Sequence, residues 1–224
     1  MRNILIIVVL CLILSSCHTS RKAYYQDKGM ESNIPELPSN ELEQRLFLVG
    51  DAGGLDNWNK ESNVVFDAIK KDLSATEANH SIVFLGDNIY NNGLDKPDSP
   101  ERQKQETILN AHISLAEAID GDAYFIPGNH DWNNNKTGGR KAIIRQGDYI
   151  KKHKSLSDQV SLYPENACGD PSVVRVSKDL VYIFIDTQWW VHNWAEETDI
   201  NEGCDIVSRR GFLDRMKDLS LIHI

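Results

Sequence analysis

Residues 81–90 read SIVFLGDNIY. An apolar run with strand character stops at Gly86-Asp87, and Tyr90 follows three places after the acid. The same kind of ending occurs twice more. RLFLVGDAGG (45–54) stops at Gly50-Asp51, and AYFIPGNHDW (123–132) stops at Gly128-Asn129-His130-Asp131. Between these runs lie NVVFDAIKKDL (63–73), apolar at 64, 65, 68, 69 and 73, and ERQKQETILNAHISLAEAI (101–119), apolar at 108, 109, 113, 115, 116 and 119. That spacing gathers the apolar side chains on one helical face. Strand, helix, strand, helix, strand in this order predicts right-handed crossovers and parallel strands, hence an α/β fold.

The rest of the chain is patterned differently. NNNKTGGRKAIIRQGDYIKKHKS (133–155) reads as loop followed by mixed helix. SVVRVSKDLVYIFIDTQWW (172–190) is two β-rich runs split by Ser-Lys-Asp, which predicts a hairpin. RRGFLDRMKDL (209–219) has the pattern of an amphipathic helix.

Ligands of open α/β sheets bind outside the carboxyl ends of the strands. Asp51, Asp87 and Asn129 are each separated by at least one strand–helix–strand unit, roughly 30 residues or more. Neighbouring strands therefore bring the three together at one sheet edge, with Tyr90, His130 and Asp131 on the same rim. One Gly-Asp after a strand is ordinarily a turn or a helix N-cap, and one tyrosine there is ordinarily a packed rim aromatic. Three such endings in this order point to chemistry. Two carboxylates side by side repel when both are ionised, and a cation relieves the repulsion. Carboxylate, amide and phenolate oxygens are hard donors that suit hard cations. A trivalent ion would also lower the phenol pKa from its ordinary value of about 10. The expected metal ligands are Asp51, Asp87, Tyr90 and Asn129. Asp131 and Trp132 are expected to shape the loop rather than to bind metal.

The 224 residues carry a formal net charge of −9, with 41% hydrophobic and 25% charged residues. That composition is ordinary for a globular protein and carries no basic patch of the kind that binds nucleic acid. An anionic substrate would need a local positive centre, which a metal supplies.

The N-terminus opens with Arg2, an apolar run at 4–14 and the small residues Ser15-Ser16 before Cys17. This is the pattern of an export signal, too short to span a bilayer comfortably. LSSC (14–17) resembles a bacterial lipoprotein signal, in which Cys17 becomes the lipidated first residue; a plain secretory signal with a coincidental cysteine is the alternative. Residues 18–44 read as a polar tether between membrane and domain. With Cys11 in the signal, Cys168 and Cys204 remain; in an oxidising compartment they either pair as a disulfide or stay as two thiols.

GDAG (50–53), GDNIY (86–90) and GNHD (128–131) together resemble the first three blocks of the calcineurin-like metallophosphoesterases. More narrowly they resemble the purple acid phosphatase branch, which includes tartrate-resistant acid phosphatase. Many relatives have Asp-x-His in block one; here it is Asp51-Ala52-Gly53. The resemblance covers roughly 45–190. It implies a four-layer α-β-β-α sandwich, of which residues 45–219 form the N-terminal half. It implies a dinuclear centre of Fe(III) plus a divalent ion (Fe, Zn or Mn). In it Asp51 and Tyr90 hold the ferric ion, Asp87 bridges, and Asn129 holds the divalent ion. His130 would be catalytic, contacting the phosphate or leaving group. The implied reaction is hydrolysis of phosphate monoesters, on small molecules or phosphoproteins, by metal-activated hydroxide attack. The alternatives are a phosphodiesterase or nucleotidase of the same superfamily, and a non-catalytic surface-binding lipoprotein.

The chain also departs from the family. Three further His ligands are expected from later strand ends, the last in Gly-His-x-His, and no such motif occurs. His153 reads as a solvated helix face and His192 as an exposed loop residue. The closing SLIHI resembles translated sequencing-adapter read-through, which would make residues 220–224 non-native; alternatively LIHI starts the next strand with His223 as a fifth ligand. Four ligands of seven cannot hold two metals, so the chain as written is expected to be an inactive fragment with one apolar sheet face uncovered.

Overall fold

The computed structural model describes residues 42–54, 61–73, 78–119, 121–152 and 159–222. The apolar runs and helical faces fold in the expected alternation: β1 (Gln44–Val49), α1 (Glu61–Leu73), β2 (Asn79–Phe84), α2 (Arg102–Ala118), β3 (Gly121–Phe125) and α3 (Gly139–Lys152). They continue into β4 (Val160–Leu162), β5 (Ser172–Arg175), β6 (Val181–Phe184), α4 (Thr187–Val191) and α5 (Arg209–Ile222). β1 to β4 form one parallel sheet in sequential order, and β5 and β6 form a separate antiparallel pair.

Sequential order has a direct consequence. Each crossover steps one strand over in the same direction, so right-handed connections place α1, α2 and α3 on one face. The register bears this out. Phe47, Ile82, Ala123 and Val160 lie abreast, as do Val49, Phe84, Phe125 and Leu162. These side chains form one core with Phe66 and Ile69 of α1, Leu109 and Ile113 of α2, and Ile143 and Ile150 of α3. The opposite face carries Val83 and Tyr124, which pack against Val174, Tyr182 and Phe184 of the β5–β6 hairpin. Leu46, Leu48 and Leu85 share that face by alternation, and they remain 41%, 60% and 48% exposed.

The structure departs from the sequence expectations at five places. β4 falls in a stretch with no assigned element, because Val160–Leu162 is too short to show a period. Residues 187–190 belong to α4 rather than to the second hairpin strand. Asp186 caps this helix, its Oδ1 accepting from the backbone N–H of Gln188 at 2.8 Å and of Trp189 at 3.0 Å, and so ends the strand at Phe184. β1 opens at Gln44, the last residue assigned to the tether, and α5 runs to Ile222, into the segment read as a non-native tail. His192 is not an exposed loop residue: it is 2% exposed, and its Nε2 lies 2.7 Å from Glu197 Oε2. Glu197 in turn accepts the N–H groups of Gly139 and Arg140, the first residues of α3. The partner that buries His192 sits just five residues further along the chain.

A disulfide joins Cys168 to Cys204, with their Cα atoms 5.6 Å apart. Cys17, residues 18–41 of the tether, His153 and His223 lie outside the described residues.

One core histidine gives the fold a pH dependence. His112 of α2 is fully buried among the rings of Phe66, Phe84 and Phe125, and its Nδ1 donates to the Ile108 carbonyl at 2.8 Å. Burial pushes its pKa down to about 4. The unfolded chain therefore takes up a proton near pH 6.5 that the folded chain refuses until about pH 4, so stability falls as pH falls through that window. Urea unfolding at pH 7 and pH 4.5 measures the loss. Wild type is expected to lose about 2–3 kcal/mol more than His112→Phe; equal losses would remove His112 from the account.

Candidate metal centre

The three strand ends do meet. Asp51 follows β1 and Asp87 follows β2, and both have left-handed backbones, with φ of 55° and 52°. Such conformations cost a non-glycine residue of order 1–3 kcal/mol and collect at functional sites; aspartate is among the residues that tolerate them best. Backbone hydrogen bonds fix the approach. Asp51 N donates to Gly86 O at 3.2 Å, Gly53 N to Asp87 O at 3.0 Å, and Tyr90 N to Gly53 O at 3.0 Å.

Two glycines make this packing possible. A Cβ on Gly53 would lie 2.3 Å from the carbonyl carbon of Asn88, and a Cβ on Gly128 would lie 2.3 Å from Asp87 Oδ1. No side chain fits at either position. The need at Gly53 comes from a contact with Asn88, 35 residues along the chain, and is invisible in GDAG itself.

The clamp between the second and third loops is Asp131. Its carboxylate is fully buried and accepts from the N–H of Gly128 at 2.8 Å, of Asn88 at 3.1 Å and of Ile89 at 3.1 Å, and from Asn88 Nδ2 at 3.2 Å. Burial nevertheless pushes its carboxyl up to about 7. Asp131 thus shapes the loop and stands beneath the site, not in it.

Above this clamp sits the expected ligand set. Tyr90 Oη lies 2.9 Å from Asp51 Oδ1 and 2.9 Å from Asp87 Oδ2. The other oxygen of Asp87 accepts from His130 N at 3.0 Å. A phenol carries one proton. That proton cannot serve two carboxylates at once, so three oxygens converge on a point short of positive charge. Burial, followed by the hydrogen bonds to Asp51 and Asp87, raises the Tyr90 pKa above its ordinary value. A cation would reverse this by replacing the proton, because its charge favours the phenolate. The donor set of two carboxylates, a phenol oxygen and the Asn129 amide fits a hard cation.

Asp51, Asp87 and Asn129 line one cleft of about 400 Å³. Its opposite side comes from Ile185, Thr187 and Gln188, which the sequence reading did not place there. His130 stands at the rim. Its ring packs on Tyr90 with centroids 4.2 Å apart, and its Nδ1 lies 2.7 Å from the Asn91 carbonyl oxygen. A carbonyl only accepts, so Nδ1 holds the proton and Nε2 is the atom left for proton exchange. The other described histidines do not join the site: His80 and His112 are buried in the fold, and His192 is held by Glu197. The Cys168–Asp170–Cys204 group has ligand atoms close together, but its two sulfurs are bonded to each other.

Among protein families, the calcineurin-like phosphoesterase model matches the chain over residues 44–210. The chain belongs to the calcineurin-like phosphoesterase family. No curated protein and no solved structure shows significant similarity to it. Membership of the calcineurin-like phosphoesterases supports metal-dependent hydrolysis of phosphoesters, with divalent ions the usual metals. The family match begins at the first residue of β1 and takes in all three strand-end loops.

Filling the space at Gly128 tests the packing of this phosphoesterase site. Gly128→Ala is expected to push Asp87 off Tyr90 and to cost about 1–3 kcal/mol of stability, the range for overpacking. Chemical denaturation together with a metal titration reads both effects; unchanged values for the variant would contradict the described contact.

Proposed function

We propose that this calcineurin-like phosphoesterase carries the Asp51, Asp87, Tyr90 and Asn129 part of a dinuclear centre of the purple acid phosphatase type, whose reaction is the hydrolysis of phosphate monoesters. The observation that carries the reading is the Tyr90 hydroxyl held 2.9 Å from both Asp51 and Asp87. Asp51, Tyr90, Asp87 and Asn129 would hold the metals, a ferric ion and a divalent one (Fe, Zn or Mn). Gly53 supports the branch assignment. Where other members carry a histidine, the backbone of Asp87 and Asn88 leaves no room for one, and the Tyr90 loop takes that space.

When bound, the metal pair supplies charge to the phosphoryl oxygens and lowers the pKa of water for in-line attack. The chain's own groups do the rest. His130, with its Nδ1 proton committed to Asn91, brings Nε2 to the leaving oxygen and delivers a proton there in its imidazolium form. The left-handed turns hold the carboxylates in place before substrate arrives, so no reorganisation is needed during the reaction. The net charge of −9 disfavours anions at long range, which leaves the metal centre to attract the substrate.

The wider reading follows from the same resemblance. The fold is an α-β-β-α sandwich whose second sheet begins with the β5–β6 hairpin, supported by its packing on Val83 and Tyr124. The protein is exported and anchored to a bacterial membrane by lipid on Cys17. Its substrates are phosphorylated small molecules or phosphoproteins, not nucleic acid.

Hydrolysis of a chromogenic phosphomonoester by the metal-loaded, full-length protein tests the proposal. Asp87→Asn is expected to lower kcat/KM by at least about 10³-fold, the loss of a pivotal electrostatic group. His130→Ala is expected to lower kcat about 10²–10⁴-fold, the range for a general acid. Turnover that survives Asp87→Asn, or that ignores metal removal, would overturn the assignment.

A further inference from the structure

The cleft has two sides, and one buried carboxylate joins them. Trp132 and Asp186 are 0% and 1% exposed, and Trp132 Nε1 donates to Asp186 Oδ2 at 2.7 Å. The indole is enclosed. It lies 5.0 Å from the His192 ring, and a Cβ on Gly139 would meet the Trp132 carbonyl oxygen at 2.6 Å. Nε1 is the ring's one polar atom, and a buried donor needs an acceptor.

The main chain of Trp132 closes the turn that carries Asn129 and His130. Trp132 N donates to Gly128 O at 3.2 Å, and Asn134 N donates to Asn129 O at 2.8 Å. On the far side, the residues just after Asp186 enter the cleft as Thr187 and Gln188. Gln188 Nε2 also donates to Asn135 Oδ1, giving a second link between the same two segments.

The residue type at 186 is informative. Capping a helix needs one acceptor oxygen, and serine, threonine or asparagine would supply it. Here Oδ1 alone does the capping. The second carboxylate oxygen is what distinguishes aspartate, and it is spent on Trp132. We propose that Asp186 is a positioning residue for the metal centre: through the Trp132 indole it holds the Asn129–His130 turn at a fixed distance from α4. The inference rests on the metal-centre reading above for its functional consequence, and on geometry alone for the turn.

Asp186→Asn separates the two roles. Its Oδ1 still caps α4, while its amide N–H faces the indole N–H, donor against donor. Trp132→Phe removes the same bond from the other side and keeps the ring. Amide hydrogen exchange on the full chain is expected to quicken about tenfold across residues 128–135 in both variants, the scale of one lost charged hydrogen bond. Amides of β1 to β3 should keep their protection. The double variant is expected to be no worse than either single one, because both remove one bond. Mn²⁺ titration of the same proteins should show a dissociation constant raised about fivefold or more in each variant. Unchanged exchange, a loss spread evenly over the sheet, or faster exchange with unaltered Mn²⁺ affinity would overturn the inference. If wild type binds no Mn²⁺, the metal-centre reading falls, and selective exchange at 128–135 still upholds the positioning of the turn.

Discussion

The buried carboxylate of Asp131 is the interaction on which the site depends. It takes four N–H groups from two loops that leave neighbouring strands, and it has no solvent to fall back on. Left unpaired, each of the three backbone donors among them would cost about 1–3 kcal/mol of desolvation. Satisfied together, they lock the loop after β2 to the loop after β3. Asp87, Tyr90, Asn129 and His130 are then placed by main-chain geometry rather than by their own contacts. The left-handed turns at Asp51 and Asp87 are tolerated because the surrounding hydrogen bonds over-determine them.

Placement of this kind explains the unusual electrostatics above the clamp. The Tyr90 phenol oxygen lies within hydrogen-bond distance of both the Asp51 and the Asp87 carboxylates, and it has a single proton to offer them. A free loop would relax by moving one carboxylate into water. The loops themselves have no slack, because a Cβ on Gly53 or Gly128 would collide with the residues of the Asp87 loop. The frustration is the functional signal: a cation is the one partner that satisfies all three oxygens together. Membership of the calcineurin-like phosphoesterases agrees with that chemistry at the level of the reaction, and Tyr90 carries the finer assignment.

Much of the fold was legible in the sequence, and the reasons are physical. Helical faces such as Ile108, Leu109 and Ile113 advertise themselves by period, and buried parallel strands by unbroken apolar runs. Strand ends at Gly-Asp told where the site would form because the topology leaves the ligands no other edge. What failed was either short or non-local. Val160–Leu162 is a strand only because β3 offers it a partner. Thr187–Val191 reads as strand by its tryptophans, and it turns helical because Asp186 caps it. His192 looked exposed because nothing in Trp-Val-His-Asn-Trp announces that Glu197 will reach back to it. The far side of the cleft, Ile185 to Gln188, was missed for the same reason: its place depends on packing against Trp132 and Asn135, which lie some fifty residues earlier.

The central claim is that Tyr90 is a metal ligand and not a rim aromatic. The visible spectrum of the iron-loaded, full-length protein measures it most directly, with resonance Raman excitation in any band that appears. A phenolate bound to a ferric ion gives a charge-transfer absorption that enhances tyrosinate ring modes, and both are predicted to vanish in Tyr90→Phe while iron remains bound. A colourless iron-loaded protein, or a band that survives Tyr90→Phe, would contradict the account.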